Sequence, residues 1–331
     1  MVVCCGMARK LRLEYPGACY HVINRGNYRA DIFRTEGARA AFEAGLFETC
    51  AKSGWVLHAH VLMSNHYHLA LETPVGNLVT GMQWLQATFA NRFNRLRGVR
   101  GHLFQGRYKA LLVEEGEPLG MVCHYIHLNP VRAGILPVER LKDYRYSSYW
   151  YLRRPEARPA CLQATTALTE AGALADNAAG WESYADYLAW QAVEGPAGKS
   201  KAYVSLSRGW ALGGAGFKAT LIRDHALAAE SRAWEDQGAE EIRQHAWEEL
   251  FTRAMRILGR KESEWTEGPK SAPWKVAVAT FLKERTQASN PWLARRLAMG
   301  RPIYVSRLVS VARRALPAAP ELVLLRVKCK A

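Results

Sequence analysis

The chain has 331 residues, 49% of them hydrophobic and 23% charged, with a formal net charge of +15. That length allows two domains with cores of their own, and the composition is that of a soluble globular protein rather than a disordered or fibrous one. No run approaches the ~20 uncharged apolar residues of a membrane-spanning helix, and the opening Met1 to Gly6 is too short for a secretory signal.

The seven cysteines (Cys4, Cys5, Cys19, Cys50, Cys123, Cys161, Cys329) include no Cys-x-x-Cys pair. Their odd number and scatter argue against a disulfide framework and a structural zinc site, and for a reducing cytoplasm. The positive charge points to a polyanion, most simply nucleic acid. It sits in two blocks. Thr73 to Val113 holds Arg92, Arg95, Arg97, Arg100, Arg107 and Lys109 and no acid. Lys270 to Arg314 holds ten Lys or Arg against Glu284 alone.

In chain order, a basic arm with Arg9, Lys10 and Arg12 comes first, then a strand over 18–24 and a turn at Arg25-Gly26-Asn27. Thr35 caps a helix that runs to about Lys52, where Ser53-Gly54 stops it. Two strands, 55–62 and 66–72, follow with a tight connection between them. Asn77 caps a long helix over 78–96, with Leu78, Met82, Leu85, Phe89 and Phe93 spaced for burial. A strand over 108–114 leads to a helix that Pro118 opens and that runs towards Pro130. This βαββαβ order predicts a ferredoxin-like antiparallel sheet within an α+β protein.

Arg153-Arg154-Pro155 and Pro159 predict a linker. A helix is expected over 164–190, with Trp181, Tyr184, Tyr187, Leu188 and Trp190 as core candidates. The glycine-rich run 209–216 lacks the lysine and threonine of a phosphate loop and reads as structural. Residues 241–316 read as helical. Ser289 or Asn290 caps, Pro291 stands at the first helical position and Gly300 makes the turn. The helix beyond carries Arg307, Arg313 and Arg314, which predicts a helix-turn-helix DNA reader. The expected division is thus 7–150, 151–240 and 241–316.

The chemistry centres on His66-Tyr67-His68. On a strand, residues i and i+2 share a face, so the two imidazoles form half of a divalent-metal site. His124 to Pro130 supplies the rest. On a helix, Tyr125 and Asn129 share a face, one a phenol and the other an oxygen ligand, while His127 points elsewhere. Pro130 disfavours helical geometry at Asn129. The set suits attack on a phosphodiester, because a metal polarises the phosphate and a phenol near a cation becomes nucleophilic. Attack would leave a DNA 5′-phosphate on Tyr125 and keep the bond energy for rejoining.

These residues, with His21 to Asn27, Met63 to His66, Leu103 to Arg107, Tyr125 to Gly134 and Tyr146 to Ser148, resemble the single-tyrosine HUH transposases, and more narrowly the REP-associated tyrosine transposases. The resemblance covers roughly 7–150. It implies a Mg²⁺- or Mn²⁺-dependent enzyme that cuts and rejoins single-stranded DNA near palindromic hairpins, with His66, His68 and Asn129 as metal ligands and Tyr125 as nucleophile. Ser64 departs from the family's usual proline, and His60 stands where tyrosine is common. A three-residue loop at 63–65 would bring His60 to the face of His68; a two-residue loop would put it on the other, as a non-ligand.

Expected DNA contacts are Arg9, Lys10, Arg12, Arg25, Arg92, Arg95, Arg107, Lys109 and Arg307, with no membrane partner, a nucleoid-associated cytoplasmic location, and a monomer or homodimer left open. The competing readings are a non-catalytic DNA-binding regulator of repetitive elements and an RNA-binding ferredoxin-like domain. The second lacks the paired aromatic motif such a sheet would carry.

Overall fold

The computed structural model describes residues 13–198, 206–207, 209–229, 237–286, 288–315 and 318–329. The chain divides into two compact units, Arg12–Lys218 and one built on Ala219–Ala331. The basic arm with Arg9, Lys10 and Arg12 lies outside the described residues.

In the first unit β1 (Ala18–Arg25), α1 (Glu36–Ser53), β2 (Val56–Leu62), β3 (His66–Thr73), α2 (Leu78–Arg97) and β4 (Lys109–Val113) follow in the expected order. The strands lie β2-β3-β1-β4 and pair antiparallel, the ferredoxin-like arrangement. Thr35 caps α1 by accepting from the Ala38 amide, and Gly54 ends it at φ 67°, a conformation that glycine adopts without strain. Asn77 does not cap α2. Its side chain accepts from the Trp55 indole and donates to the Ser53 carbonyl, and Glu14 instead accepts from the Val79 amide near the start of α2.

One face of the sheet carries Tyr67, Leu69 and Leu71. Tyr67 meets an aromatic cluster of Phe33, Phe42, Phe89 and Phe104 around α1 and α2. Gly81 lets α2 approach closely, since a Cβ there would lie 2.1 Å from the Trp55 ring. The other face carries Cys19, Ala59, Val61, Ala70, Leu111 and Val113. It packs against α3 (Glu117–His127) and, beyond α4 (Asn129–Arg132) and α5 (Ser148–Leu152), against α6 (Thr165–Glu170) and α7 (Ala178–Gly198). Helix α3 therefore covers the face opposite α1 and α2.

The expected boundary at 150 falls inside this unit. Ala167, Leu168, Tyr184, Leu188 and Leu206 belong to the core that α3 closes, so the described part of the expected linker and helical middle region packs within the first unit, with Tyr184 and Leu188 buried as expected. The apolar periodicity behind that packing is short and broken. The single helix expected over 164–190 splits into α6 and α7 around Gly172 and Ala173, both with positive φ. Trp190, expected in the core, is half exposed. Within the glycine-rich run, β5 (Ala211–Leu212) adds a parallel fifth strand beside β4.

The second unit is helical among its described residues. Helix α8 (Ala215–Ala229) crosses from the first unit and is followed by α9 (Gln237–Ile257), α10 (Pro273–Arg285), α11 (Asn290–Arg296), α12 (Pro302–Arg314) and α13 (Pro320–Lys328). Its core holds Phe251, Val278, Phe281, Leu293, Leu297, Val305 and Val309. Ser289 caps α11 by accepting from the Trp292 amide, and Gly300 takes φ 83° in the turn before α12.

Candidate active site

The turn before His66 decides what the histidines face. Leu62 pairs with Tyr67 and Val61 with His68, so Ser64 and Asn65 form a two-residue connection closed by a 2.8 Å bond from the Met63 amide to the His66 carbonyl. That register sends His60 opposite Leu69, to the α1 face, where its Nε2 lies 3.1 Å from Glu43. His60 is thus separated from His66 and His68 by the sheet. The tight turn also anchors the loop after β1: Asn65 donates through Nδ2 to the Arg29 carbonyl, and the Phe33 amide donates to the Ser64 carbonyl.

Each histidine of the pair has its Nδ1 occupied. His21 Nδ1 lies 2.7 Å from the Leu206 carbonyl, which can only accept, so that nitrogen carries the proton. His21 Nε2 is then an acceptor for His68 Nδ1–H at 3.0 Å, and His68 Nε2 is left as a bare lone pair. Asn65 Oδ1 accepts from His66 Nδ1 at 2.7 Å, which leaves His66 Nε2 bare in the same way. Burial lowers the His21 pKa to about 4; burial and then Arg25 lower that of His66 to about 4. His68, fully buried beside His21 and His66, is held well below its ordinary value by burial first and then by its charged neighbours. All three rings are therefore neutral at physiological pH, the form a metal requires.

Tyr125 comes from α3. Its ring stands 5.5 Å from that of His68 and 5.8 Å from that of His21, edge-on to both, and the Arg132 guanidinium lies 5.0 Å from its centre. Asn129, one turn later, is buried and donates through Nδ2 to the Tyr125 carbonyl at 3.4 Å, which leaves its Oδ1 to accept or ligate. The helix is interrupted here, α3 ending at His127 and α4 starting at Asn129 after Leu128 at φ −77° and ψ −5°. The bonds Leu128 N to His124 O and Arg132 N to Leu128 O carry the chain through it, with Pro130 where its missing N–H costs least. His127 points away, to Tyr184 and Ser148. Two bare imidazole nitrogens and an amide oxygen, beside a phenol and a guanidinium, are a donor set that fits a divalent cation.

The expected DNA contacts are placed unevenly. Arg25 is half buried and pairs across strands with His66. Arg92, Arg95 and Arg107 are exposed, whereas Lys109 gives its ammonium to the Ser207 carbonyl at 2.6 Å. Arg307 is exposed on α12 of the second unit. Three residues escaped the sequence reading. His21 alternates with Ile23 and Arg25 along β1, so its face could have been assigned. Arg132 is one helical turn from Leu128 and two from Tyr125. Tyr28 is 93% exposed at φ 50°, in the loop that Asn65 anchors, and no sequence signal marked it.

The fold and this site are of the kind a transposase-type domain would use. Residues 15–129 match the family model described as "Transposase IS200 like", in line with the resemblance that the motifs carry. Among solved structures, one described as "Structure of the REP associates tyrosine transposase bound to a REP hairpin" is 16% identical, covering 44% of this chain and 84% of that one at a TM-score of 0.36. A putative transposase from Deinococcus radiodurans R1 is 21% identical, covering 38% and 92% at a TM-score of 0.27. No curated protein matches the chain. No described helix is long and apolar enough to cross a membrane.

Proposed function

We propose that the protein is a metal-dependent single-strand DNA endonuclease and strand-transferase of the REP-associated tyrosine type, acting at palindromic hairpins through a 5′-phosphotyrosine on Tyr125. The observation that carries this reading is that Tyr125 stands edge-on to His68, whose Nε2 is left bare, with the ring of His66, its Nε2 also bare, 5.2 Å beyond. A structural tyrosine would need no such arrangement.

His66, His68 and Asn129 would hold the cation, which supplies charge stabilisation to the scissile phosphate when bound. Imidazole donors favour Mn²⁺ over Mg²⁺ among the two expected ions. Tyr125 Oη attacks phosphorus, its proton leaves to solvent, and the 3′-oxygen of the upstream strand departs. Arg132, its guanidinium 5.0 Å from the ring centre, sets positive charge beside the attacking group. A 3′-hydroxyl attacking the phosphotyrosine reverses the step and rejoins strands without a nucleotide cofactor. Arg25, Arg92, Arg95, Arg107 and Lys109, with the arm at Arg9, Lys10 and Arg12, are assigned to the DNA backbone.

For the second unit we propose a helix-turn-helix over α11 and α12. Val305 and Val309 bury one side of α12, while Ile303, Tyr304, Arg307, Val311 and Arg314 are exposed. The setting is the cytoplasm, at the nucleoid. The test is cleavage of a hairpin-bearing single strand. Tyr125→Phe should bind the strand without cutting it, and His66→Ala or His68→Ala should lose metal-dependent cutting. Wild-type protein that binds hairpins but cuts none with either ion would favour a regulator instead.

A further inference from the structure

The His66 end of the sheet is not its sole cluster of metal-binding side chains. At the other end, four residues along β3, Glu72 pairs with Cys19 of β1, and the bulge between Leu57 and Ala59 in β2 brings His58 beside both. The thiol sulfur, an imidazole nitrogen and a carboxylate oxygen of these three lie within 4.8 Å of one another. The separation from His68 along the strand is about 13 Å.

His58 is the second, independent observation. It is 7% exposed, its Nδ1 is held 2.8 Å from Thr166 Oγ1 of α6, and its Nε2 has no hydrogen-bond partner. Glu72 Oε2 is 3.9 Å away, too far for a hydrogen bond. With Nδ1–H donating to Thr166, the Nε2 lone pair faces the thiol and the carboxylate. This is how a metal-binding histidine is held, its second nitrogen fixed by an outer partner. Ligands on one tetrahedral zinc stand about 3.3–3.8 Å apart, from bonds of about 2.0–2.3 Å, so the Nε2 to Oε2 spacing is nearly that of a filled site.

We propose that Cys19, His58 and Glu72 bind a zinc-class divalent cation that staples β1, β2 and β3 together, distinct from the cation of the His66 and His68 site. Thiolate, imidazole and carboxylate from three strands are a borderline-soft set that selects zinc over magnesium. A water takes the fourth position. Cysteine spacing could not have shown such a site, because each ligand comes from a different strand. Binding releases the Cys19 thiol proton, and that of Glu72 where it is protonated, to solvent, with no change of oxidation state.

Full-length protein, stripped with a chelator and carrying Cys4→Ser and Cys5→Ser, is titrated with Co²⁺. A thiolate-to-cobalt absorption band in the near ultraviolet is expected, one equivalent strong and bleached by Zn²⁺. Adding His66→Ala and His68→Ala should leave it unchanged, so it reports independently of the nuclease reading. Glu72→Gln, at a partly exposed position that tolerates the change, should weaken Co²⁺ binding tenfold or more. It should also abolish the rise in melting temperature that Zn²⁺ gives. Absence of the band, or a band that Glu72→Gln and Cys19→Ser both leave intact, overturns the proposal.

Discussion

His21 shows how one side chain can prepare another. The Leu206 carbonyl fixes the proton of His21 on Nδ1, so His21 receives the Nδ1 proton of His68 and turns the His68 lone pair outward. Removing such an outer partner commonly costs 10–100-fold in metal affinity. His21→Phe is therefore expected to raise the Mn²⁺ concentration needed for half-maximal cleavage by that order while leaving DNA affinity in the metal-free protein unchanged. Calorimetry of Mn²⁺ binding checks it, and an unchanged affinity would remove His21 from the account. Tyr28 acts on the other partner. An exposed ring in the loop anchored to the His66 turn is suited to stack on an unpaired base, worth about 1–3 kcal/mol. Tyr28→Ala should weaken single-strand binding by roughly ten- to a hundredfold with the residual cleavage still on Tyr125. A loss confined to the cleavage rate would refute stacking.

Helix α3 is positioned from behind by a hydrogen-bond chain that the sequence does not display. Ser148 Oγ donates to the His60 carbonyl and so accepts from His127 Nε2. His127 Nδ1 then accepts from Tyr184 Oη–H, and Tyr184 Oη accepts from His124 Nδ1. Tyr184→Phe leaves two buried nitrogens unpaired, at a cost of about 1–3 kcal/mol, measurable as a lower urea midpoint. Tyr184 comes from α7, where a helix with this residue in the core was expected, but its partners on α3 were not. A hydroxyl meeting two histidines some sixty residues earlier leaves no local pattern. The strands, α1, α2 and α3 were legible because alternation, the Thr35 cap and Gly54 are local signals. So were His66, His68, Tyr125 and Asn129, whose faces follow from spacing alone. The register that excludes His60 depended on the turn, and the bulge at His58 had no sequence mark. In the second unit, α11 and α12 were legible from Ser289, Pro291 and Gly300. With Arg307 on the exposed face of α12, Arg307→Ala should weaken duplex binding about equally across sequences and reduce the salt slope by about one if it contacts phosphate. A sequence-specific loss would mean a base contact instead.

Across the whole molecule, charge and buried histidine set the response to conditions. Binding through many Lys and Arg in a chain of net charge +15 should fall steeply with salt. Stability should fall with acid. Burial lowers His124 to about 4 and His127 well below its ordinary value. Between about pH 4 and 6.5 the unfolded chain therefore binds protons that the folded chain does not, and stability rises with pH through that window. His124 alone contributes about 1.4 kcal/mol per pH unit there. Urea midpoints that stay level from pH 7 to 4.5 would contradict this burial. The central claim is narrower and can be tested on one peptide. Protein incubated with Mn²⁺ and a hairpin-bearing single strand is digested, and the peptide containing Tyr125 is weighed. The expected result is a mass increase equal to the downstream strand joined through its 5′-phosphate, absent in Tyr125→Phe. An adduct on any other residue, or one of undiminished yield in Tyr125→Phe, would contradict it.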